Sequence, residues 1–421
     1  MKVSTLIQRY NASDIIKTNE IRPLFKYTGG KYDEYKYFRH LIPGTINNYF
    51  EPFAGSAGVM FQLYNENRIK GNAFISDIST ELIGFYDICS CASHSIFVKK
   101  LAKINDGWLG MKEIADTYID EDYFNFIYDD IFNDKRPEID YLSRYALYAL
   151  IIHNDKFKNF LRLCYYTRDY NITAKVIECL KDKIKRFKNK AKKGEITEEA
   201  FTISDCKKQM VTAMLQAFYF IVRDTYNVCR AETRSRTPKF EAIVGTNVCF
   251  YPVYCACWYF IREFCYGSMF RFSKDDKFNV PYGGASYNSK DLTSKIEVFK
   301  SQDFWDRMKT SNFYVCDFED LIGDQDYSED DFIFIDPPYD STFKEYDNRN
   351  FDKEDQIRLR DVLKKIGDKC KWMVVVRSTP FMEGLYKDFN ITRFNKNYSF
   401  HARGTYDEKQ SVHMIITNYK L

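Results

Sequence analysis

Four consecutive apolar residues, Phe332-Ile333-Phe334-Ile335, follow the acidic pair Asp330-Asp331 and run directly into Asp336-Pro337-Pro338-Tyr339. A short unbroken apolar run predicts a strand buried on both faces, and two prolines end it because neither can donate to a ladder. Similar runs predict strands at Asn48-Tyr49-Phe50, Ala73 to Asp77, Phe313 to Val315, Trp372 to Val376, Ile391 to Phe394 and Val412 to Thr417. Between them the period changes. Val59 to Leu63 and Lys353 to Ile366 read as helices, and so do Tyr141 to Ile152, Ala174 to Phe187 and Cys206 to Tyr226, where apolar residues recur at three- and four-residue spacing. Strands alternating with helices predict an α/β, doubly wound sheet, interrupted by a long, mainly helical stretch over about 95–261. Within it, Ala242 to Ile261 has no charged residue, but Gly245, Asn247, Pro252 and three tyrosines make it a core segment rather than a membrane span.

With 421 residues and 45% hydrophobic content, the chain can bury a large core and is expected to form a catalytic domain plus a second lobe. A net charge of +3 identifies no polyanion binder, so any surface for nucleic acid has to come from local clustering. The first residues show no apolar signal region, which predicts an intracellular protein. Twelve cysteines are scattered without paired CxxC knuckles, so no metal site is expected and the thiols are read as reduced and mostly buried.

The predicted strand ends carry the chemistry. Asn48-Tyr49-Phe50 leads into Glu51-Pro52-Phe53-Ala54-Gly55-Ser56-Ala57-Gly58, a glycine loop ahead of a helix. Such a loop lets a bulky cofactor press on the backbone. It is neither GxGxxG nor a Walker loop. Some twenty residues on, Asp77 ends the next strand, where it can accept hydrogen bonds from ribose hydroxyls. A nicotinamide cofactor or S-adenosylmethionine (adenosylmethionine below) both fit this spacing. Asp336-Pro337-Pro338-Tyr339 decides for the second. An exocyclic amine is a poor nucleophile because its lone pair is delocalised into the ring. The Asp336 carboxylate and the Pro337 carbonyl can grip its N–H bonds and favour the pyramidal form, while Tyr339 stacks on the base. Further upstream, Gly29-Gly30 ahead of a helical pattern through Tyr35, Phe38, Leu41 and Ile42 would admit an anion such as a carboxylate.

In order, FKYTGGK, EPFAGSAG, ISDIS, FNVPYGG and DPPY resemble the Dam type of DNA adenine-N6 methyltransferase, and Ser399 to Tyr419 resembles that family's closing hairpin. The resemblance implies a Rossmann-like seven-stranded methyltransferase sheet, formed by residues 22–94 and 285–421. Residues 95–284 would be a target-recognition insertion ending in a DNA-reading β-hairpin at 265–284. It implies adenosylmethionine as cofactor, bound by Tyr27, Lys31, Phe53, Gly55, Asp77, Asp317 and Asp336, with Asp336, Pro337, Pro338 and Tyr339 catalytic. Lys26 and Arg271 would contact DNA, Arg271 by reading a guanine through its guanidinium fork. The partner implied is double-stranded DNA, from which the target adenine is flipped out; a cognate restriction endonuclease and a monomeric or weakly dimeric, cytoplasmic enzyme are compatible with it.

Two basic clusters lie in the insertion. Lys181 to Lys193, with eight basic residues and one acid, is expected on a helix and can meet phosphates. Arg230, Arg234, Arg236 and Lys239, ending near Pro238, read as a loop that could order on DNA. Methylation of cytosine N4 is a rival reading, opposed by Asp336 where serine is commoner. RNA or protein methylation would not need the hairpin, and a binding module without turnover would not need every motif acid.

Overall fold

The computed structural model describes residues 20–27, 29–133, 140–161, 163, 172–236, 251–338, 351–397 and 410–420. Tyr339, Lys239, residues 242–250 and all of 399–409 lie outside them.

A single helical turn, α1 (Tyr35–Phe38), precedes strand β1 (Tyr49–Glu51), helix α2 (Gly58–Asn65), β2 (Ala73–Asp77) and α3 (Thr80–Ser90). The insertion follows as α4 (His94–Tyr118), α5 (Glu121–Phe132), α6 (Asp140–His153), α7 (Asp155–Leu161), α8 (Ile172–Lys192), α9 (Ile203–Arg236) and α10 (Tyr251–Phe264). The chain then returns through α11 (Thr293–Lys300), α12 (Gln302–Met308), β3 (Ser311–Val315), α13 (Phe318–Ile322) and β4 (Phe332–Ile335). It ends with α14 (Lys353–Ile366), β5 (Lys371–Arg377), α15 (Pro380–Leu385), β6 (Asn390–Asn397) and β7 (Gln410–Thr417).

The seven strands form one sheet in the order β3-β2-β1-β4-β5-β7-β6. The first five are parallel, and β7 runs antiparallel between β5 and β6. The α/β sheet expected from the hydrophobic runs is present. All four residues of β4 are buried, as a strand covered on both faces requires. One face packs on α13, α14 and α15 through residues such as Ile333, Ile335, Leu363 and Tyr386. The other face shares a continuous core with the insertion. There Phe85 of α3 stacks on Tyr259 of α10 at 5.1 Å, and Phe38 stacks on Phe334 at 5.5 Å.

The uncharged segment proves to be core over its described part, since every residue of α10 is buried. Among the described residues no helix is long and apolar enough to cross a membrane. The three helices expected in the insertion appear as α6, α8 and α9, each longer than its apolar period. One expectation fails here: Arg230, Arg234 and Arg236 are not in a loop, because α9 continues to Arg236. Its apolar and straight-chain residues sustain the helix well past the point where charge density suggests a break.

Candidate active site

Strand order sets the site. Glu51, Asp77 and Asp336 end or directly follow β1, β2 and β4, while Asp317 stands two residues past β3, so the four acids line up along the carboxyl edge of adjacent parallel strands. That edge is where ligands bind in open α/β sheets.

Lys31 and Asp336, distant in sequence, meet as an ion pair of 2.6 Å between Nζ and Oδ1, with Lys31 only 3% exposed and Asp336 19%. The same ammonium donates to the Gly29 carbonyl at 3.1 Å. A charge-assisted bond at this length, largely out of water, holds the carboxylate in place at the strand end. Lys31 also revises the expected anion site at Gly29-Gly30. The helix after it is a single turn, preceded by Glu34, and so brings little dipole, whereas the lysine supplies a full positive charge.

The glycine loop is tight where a cofactor has to approach. Gly55 has φ +45°, and a Cβ there would sit 3.0 Å from the Tyr27 ring. At Gly30 a Cβ would come 2.7 Å from Ser56 Oγ. Asp77 accepts from the Gly55 N–H at 3.1 Å and from the Ser79 N–H at 3.0 Å. A carboxylate has about four acceptor sites, which is the chemistry a diol calls for. Tyr86 donates its hydroxyl to the Gly55 carbonyl at 3.0 Å, which locks the loop from below. These features fit a nucleoside-bearing cofactor.

Phe53 lies on the other side of the loop, stacked on Phe318 at 5.6 Å and edge-on to Phe351 at 5.4 Å. Asp317 caps α13 through the Glu319 N–H and receives a two-pronged contact from Arg358 at 2.9 and 3.0 Å. Its carboxylate therefore already has a cationic partner. Arg358 itself covers the Phe318 ring at 4.4 Å.

At the proline turn, Pro337 is buried, and Gln356 of α14 donates to the Pro338 carbonyl at 3.1 Å. Gln356 sits on a helix begun by a full capping box between Asp352 and Asp355. Sequence reading passed over Gln356, Arg358 and Tyr86, whose partners lie far along the chain. It also passed over Glu51, which is 3% exposed and accepts from the Tyr49 hydroxyl at 3.0 Å. Burial, reinforced by the nearby Asp336 charge, pushes the Glu51 carboxyl up to about 8, against the relief of its Tyr49 hydrogen bond. Its signal was present as the acid that opens the glycine loop.

Lys26 and Arg271 are both exposed. Arg262 of α10 links their surroundings: it donates to the Lys26 carbonyl at 3.2 Å and lies 5.1 Å from the Phe270 ring and 5.5 Å from the Tyr27 ring. Residues 265–283 double back with the expected turn at Ser273 to Asp276. Only two isolated antiparallel bridges join the arms, Cys265 with Tyr282 and Phe272 with Phe278. Arg271 donates from Nε to Asn279 Oδ1 at 3.3 Å across them. The exposed lysines of 181–193 line the solvent face of α8, except that Lys188 pairs with Asp130 at 2.6 Å and Lys183 donates to Gln209 at 3.1 Å.

Comparison with known proteins agrees with this geometry. The chain is 32% identical over 164 residues to the type II methyltransferase M.CviBI of Paramecium bursaria Chlorella virus NC1A, which covers 38% of this chain and 59% of that protein. It is 31% identical over 160 residues to M1.LlaDCHI of Lactococcus lactis, covering 37% and 54%. Both matches thus span a little over half of the relative's length. A third similarity, 24% over 412 residues, extends over 95% of this chain and 100% of the type II methyltransferase M.MjaIII of Methanocaldococcus jannaschii. The family model for D12 class N6 adenine-specific DNA methyltransferases matches residues 27–211 and 172–400, and with most of its length so covered the chain belongs to that family.

Proposed function

We propose that the protein transfers a methyl group from adenosylmethionine to the N6 amine of an adenine flipped out of duplex DNA at a specific site. The single observation that carries this reading is the Asp336-Pro337-Pro338 turn, held by Lys31 and Gln356 beside the Gly55 loop and Asp77. Family membership supports it.

Tyr27, Lys31, Phe53, Gly55, Asp77 and Asp317 are proposed to hold the cofactor. Asp77 takes the ribose hydroxyls, Phe53 lines the cleft for the cofactor, and the Gly55 backbone allows close approach. When bound, adenosylmethionine supplies an electrophilic methyl on a sulfonium. Asp336 accepts one N–H of the target amine and the Pro337 carbonyl accepts the other, which withdraws the nitrogen lone pair from conjugation and turns it toward the cleft. Lys31 keeps Asp336 aimed. Tyr339, which follows the turn, is assigned to stacking on the base.

Residues 22–94 and 285–421 make up the proposed catalytic domain, and 95–284 the recognition insertion. Lys26 and Arg271 are proposed to read bases and the outer face of α8 to meet phosphates. The type II designation of the relatives is compatible with a cognate restriction endonuclease as partner. Incubation of the protein with adenosylmethionine and mixed-sequence duplex DNA, followed by nucleoside mass spectrometry and mapping of the modified positions, tests the reading. N6-methyladenine within one short sequence is expected; N4-methylcytosine, or methylation only of RNA or protein, would overturn it.

A further inference from the structure

The segment 265–283 is a hairpin without a ladder. Its arms share two bridges, and its turn places Asp276 at φ +58°. A few further cross-arm bonds, such as Tyr266 N–H to the Pro281 carbonyl at 2.9 Å and Asn279 N–H to the Arg271 carbonyl at 3.3 Å, join the arms, and one stripe of α9 braces the whole. Tyr219 donates to the Val280 carbonyl at 2.9 Å. Asn227 takes both backbone groups of Phe278, accepting its N–H at 2.9 Å and donating to its carbonyl at 3.2 Å, as a neighbouring strand would. Positions 219, 227 and 230 recur close to one helical face. At the end of that stripe, Arg230 donates to the Asp276 carbonyl at 2.6 Å, pairs with the Asp276 carboxylate at 2.5 Å and covers the Phe272 ring at 4.0 Å.

The other edge of the same guanidinium reaches the sheet. Arg230 contacts Glu81 Oε1 from Nε at 3.1 Å and from Nη2 at 3.0 Å, with both side chains under a tenth exposed. Glu81 lies in the first turn of α3, four residues after Asp77, and Ser79 between them bonds Asp77 and caps the helix. One buried side chain therefore spans hairpin tip, recognition helix and the cofactor-side helix. A buried ion pair of this kind is weak evidence for added stability and better understood as fixing one arrangement among several.

We infer that Arg230 is a positioning residue for sequence choice: it sets the hairpin, and Arg271 upon it, against the strand edge that carries Asp77. This rests on the proposed reading of DNA by the hairpin. It replaces contact between DNA and a loop at Arg230 with an indirect role, since the guanidinium is buried and fully engaged.

The test uses the full chain with Arg230→Met, which keeps length and apolar stem, beside Arg230→Lys, Glu81→Gln and Arg271→Ala. Backbone hydrogen exchange over 266–283 is measured together with methylation of duplexes differing by one base pair. In Arg230→Met the hairpin amides should exchange roughly tenfold faster while those of β1 and β4 keep their rates. Preference for the best site over its single-mismatch variants should fall about tenfold, mainly through KM for DNA, with adenosylmethionine affinity unchanged and Arg230→Lys intermediate. A folded Arg230→Met with wild-type exchange and wild-type preference overturns the inference. Should that variant not fold, Glu81→Gln carries the same readouts, and wild-type values there overturn it equally. Loss of preference in Arg271→Ala but not in Arg230→Met, with exchange raised, leaves the hairpin as reader and overturns the part given to Arg230. Unchanged preference in both, with exchange raised, overturns instead the reading of DNA by the hairpin.

Discussion

Beta4 and the hairpin at 265–283 each present one residue on which the proposed reaction turns, Asp336 and Arg271, yet they are built by opposite means. Beta4 lies between two parallel partners, β1 and β5, and is buried along its whole length. The hairpin has two bridges and a few scattered cross-arm bonds, and is braced by Tyr219, Asn227 and Arg230 of a helix. A backbone ladder does not depend on which side chains it carries, so strand ends are stable places for chemistry that does not vary. A hairpin positioned by side chains can be re-aimed by single substitutions, which suits a surface whose target sequence changes. Under the proposed function, chemistry and choice are thereby separated between two kinds of support.

The largest effect that would sharpen this contrast belongs to Asp336. Asp336→Ala should leave the fold intact, because the ladder ends at Ile335, and should lower transfer of labelled methyl from adenosylmethionine to DNA by roughly 10²-fold or more. Retention of a tenth of the rate would remove Asp336 from the reaction. Next comes Arg271→Ala, expected to slow the preferred site by one or two orders of magnitude and to relax choice at one base position, as loss of about 1–3 kcal/mol of discrimination implies. Equal loss across a library of site variants would make Arg271 a backbone anchor and break the contrast on the hairpin side.

A milder effect is expected from α8, whose exposed Lys185, Lys190 and Lys192, with Lys193 just past its end, are proposed to act without regard to sequence. Their joint replacement by glutamine should weaken binding alike on preferred and unrelated duplexes and flatten the salt dependence by roughly one unit of slope per lost phosphate contact. An unchanged slope would return α8 to a solvated face.

The last test reads stability rather than transfer, at the interior of the strand edge. The Glu51 carboxyl is raised to about 8 from its ordinary 4.5, so folding favours the protonated form. The resulting stability is complete below the unfolded value and is lost as pH rises through 8. The wild-type slope should approach about 1.4 kcal/mol per pH unit between those limits. Thermal unfolding of Glu51→Gln, followed from pH 5 to pH 9, should lack that slope, and parallel curves for the two proteins would show that Glu51 does not titrate in this window.

Hydrophobic runs and turn residues alone determined the strands, their proline and glycine ends, and the acids waiting at them, because a buried strand needs apolar continuity and a sharp stop whatever surrounds it. Phe332 to Pro338 is legible in this way, and so is the glycine loop from Glu51 to Gly58. The long insertion was legible as helical but not in its extent, and its cluster at Arg230 was misjudged as a loop. Only the tertiary structure decided that Lys31 meets Asp336, that Gln356 steadies the proline turn, and that Arg230 is buried between Glu81 and Asp276. Each of these pairs joins residues distant in sequence, and an ionic or hydrogen-bonding side chain carries no mark of its partner until packing has removed water from both.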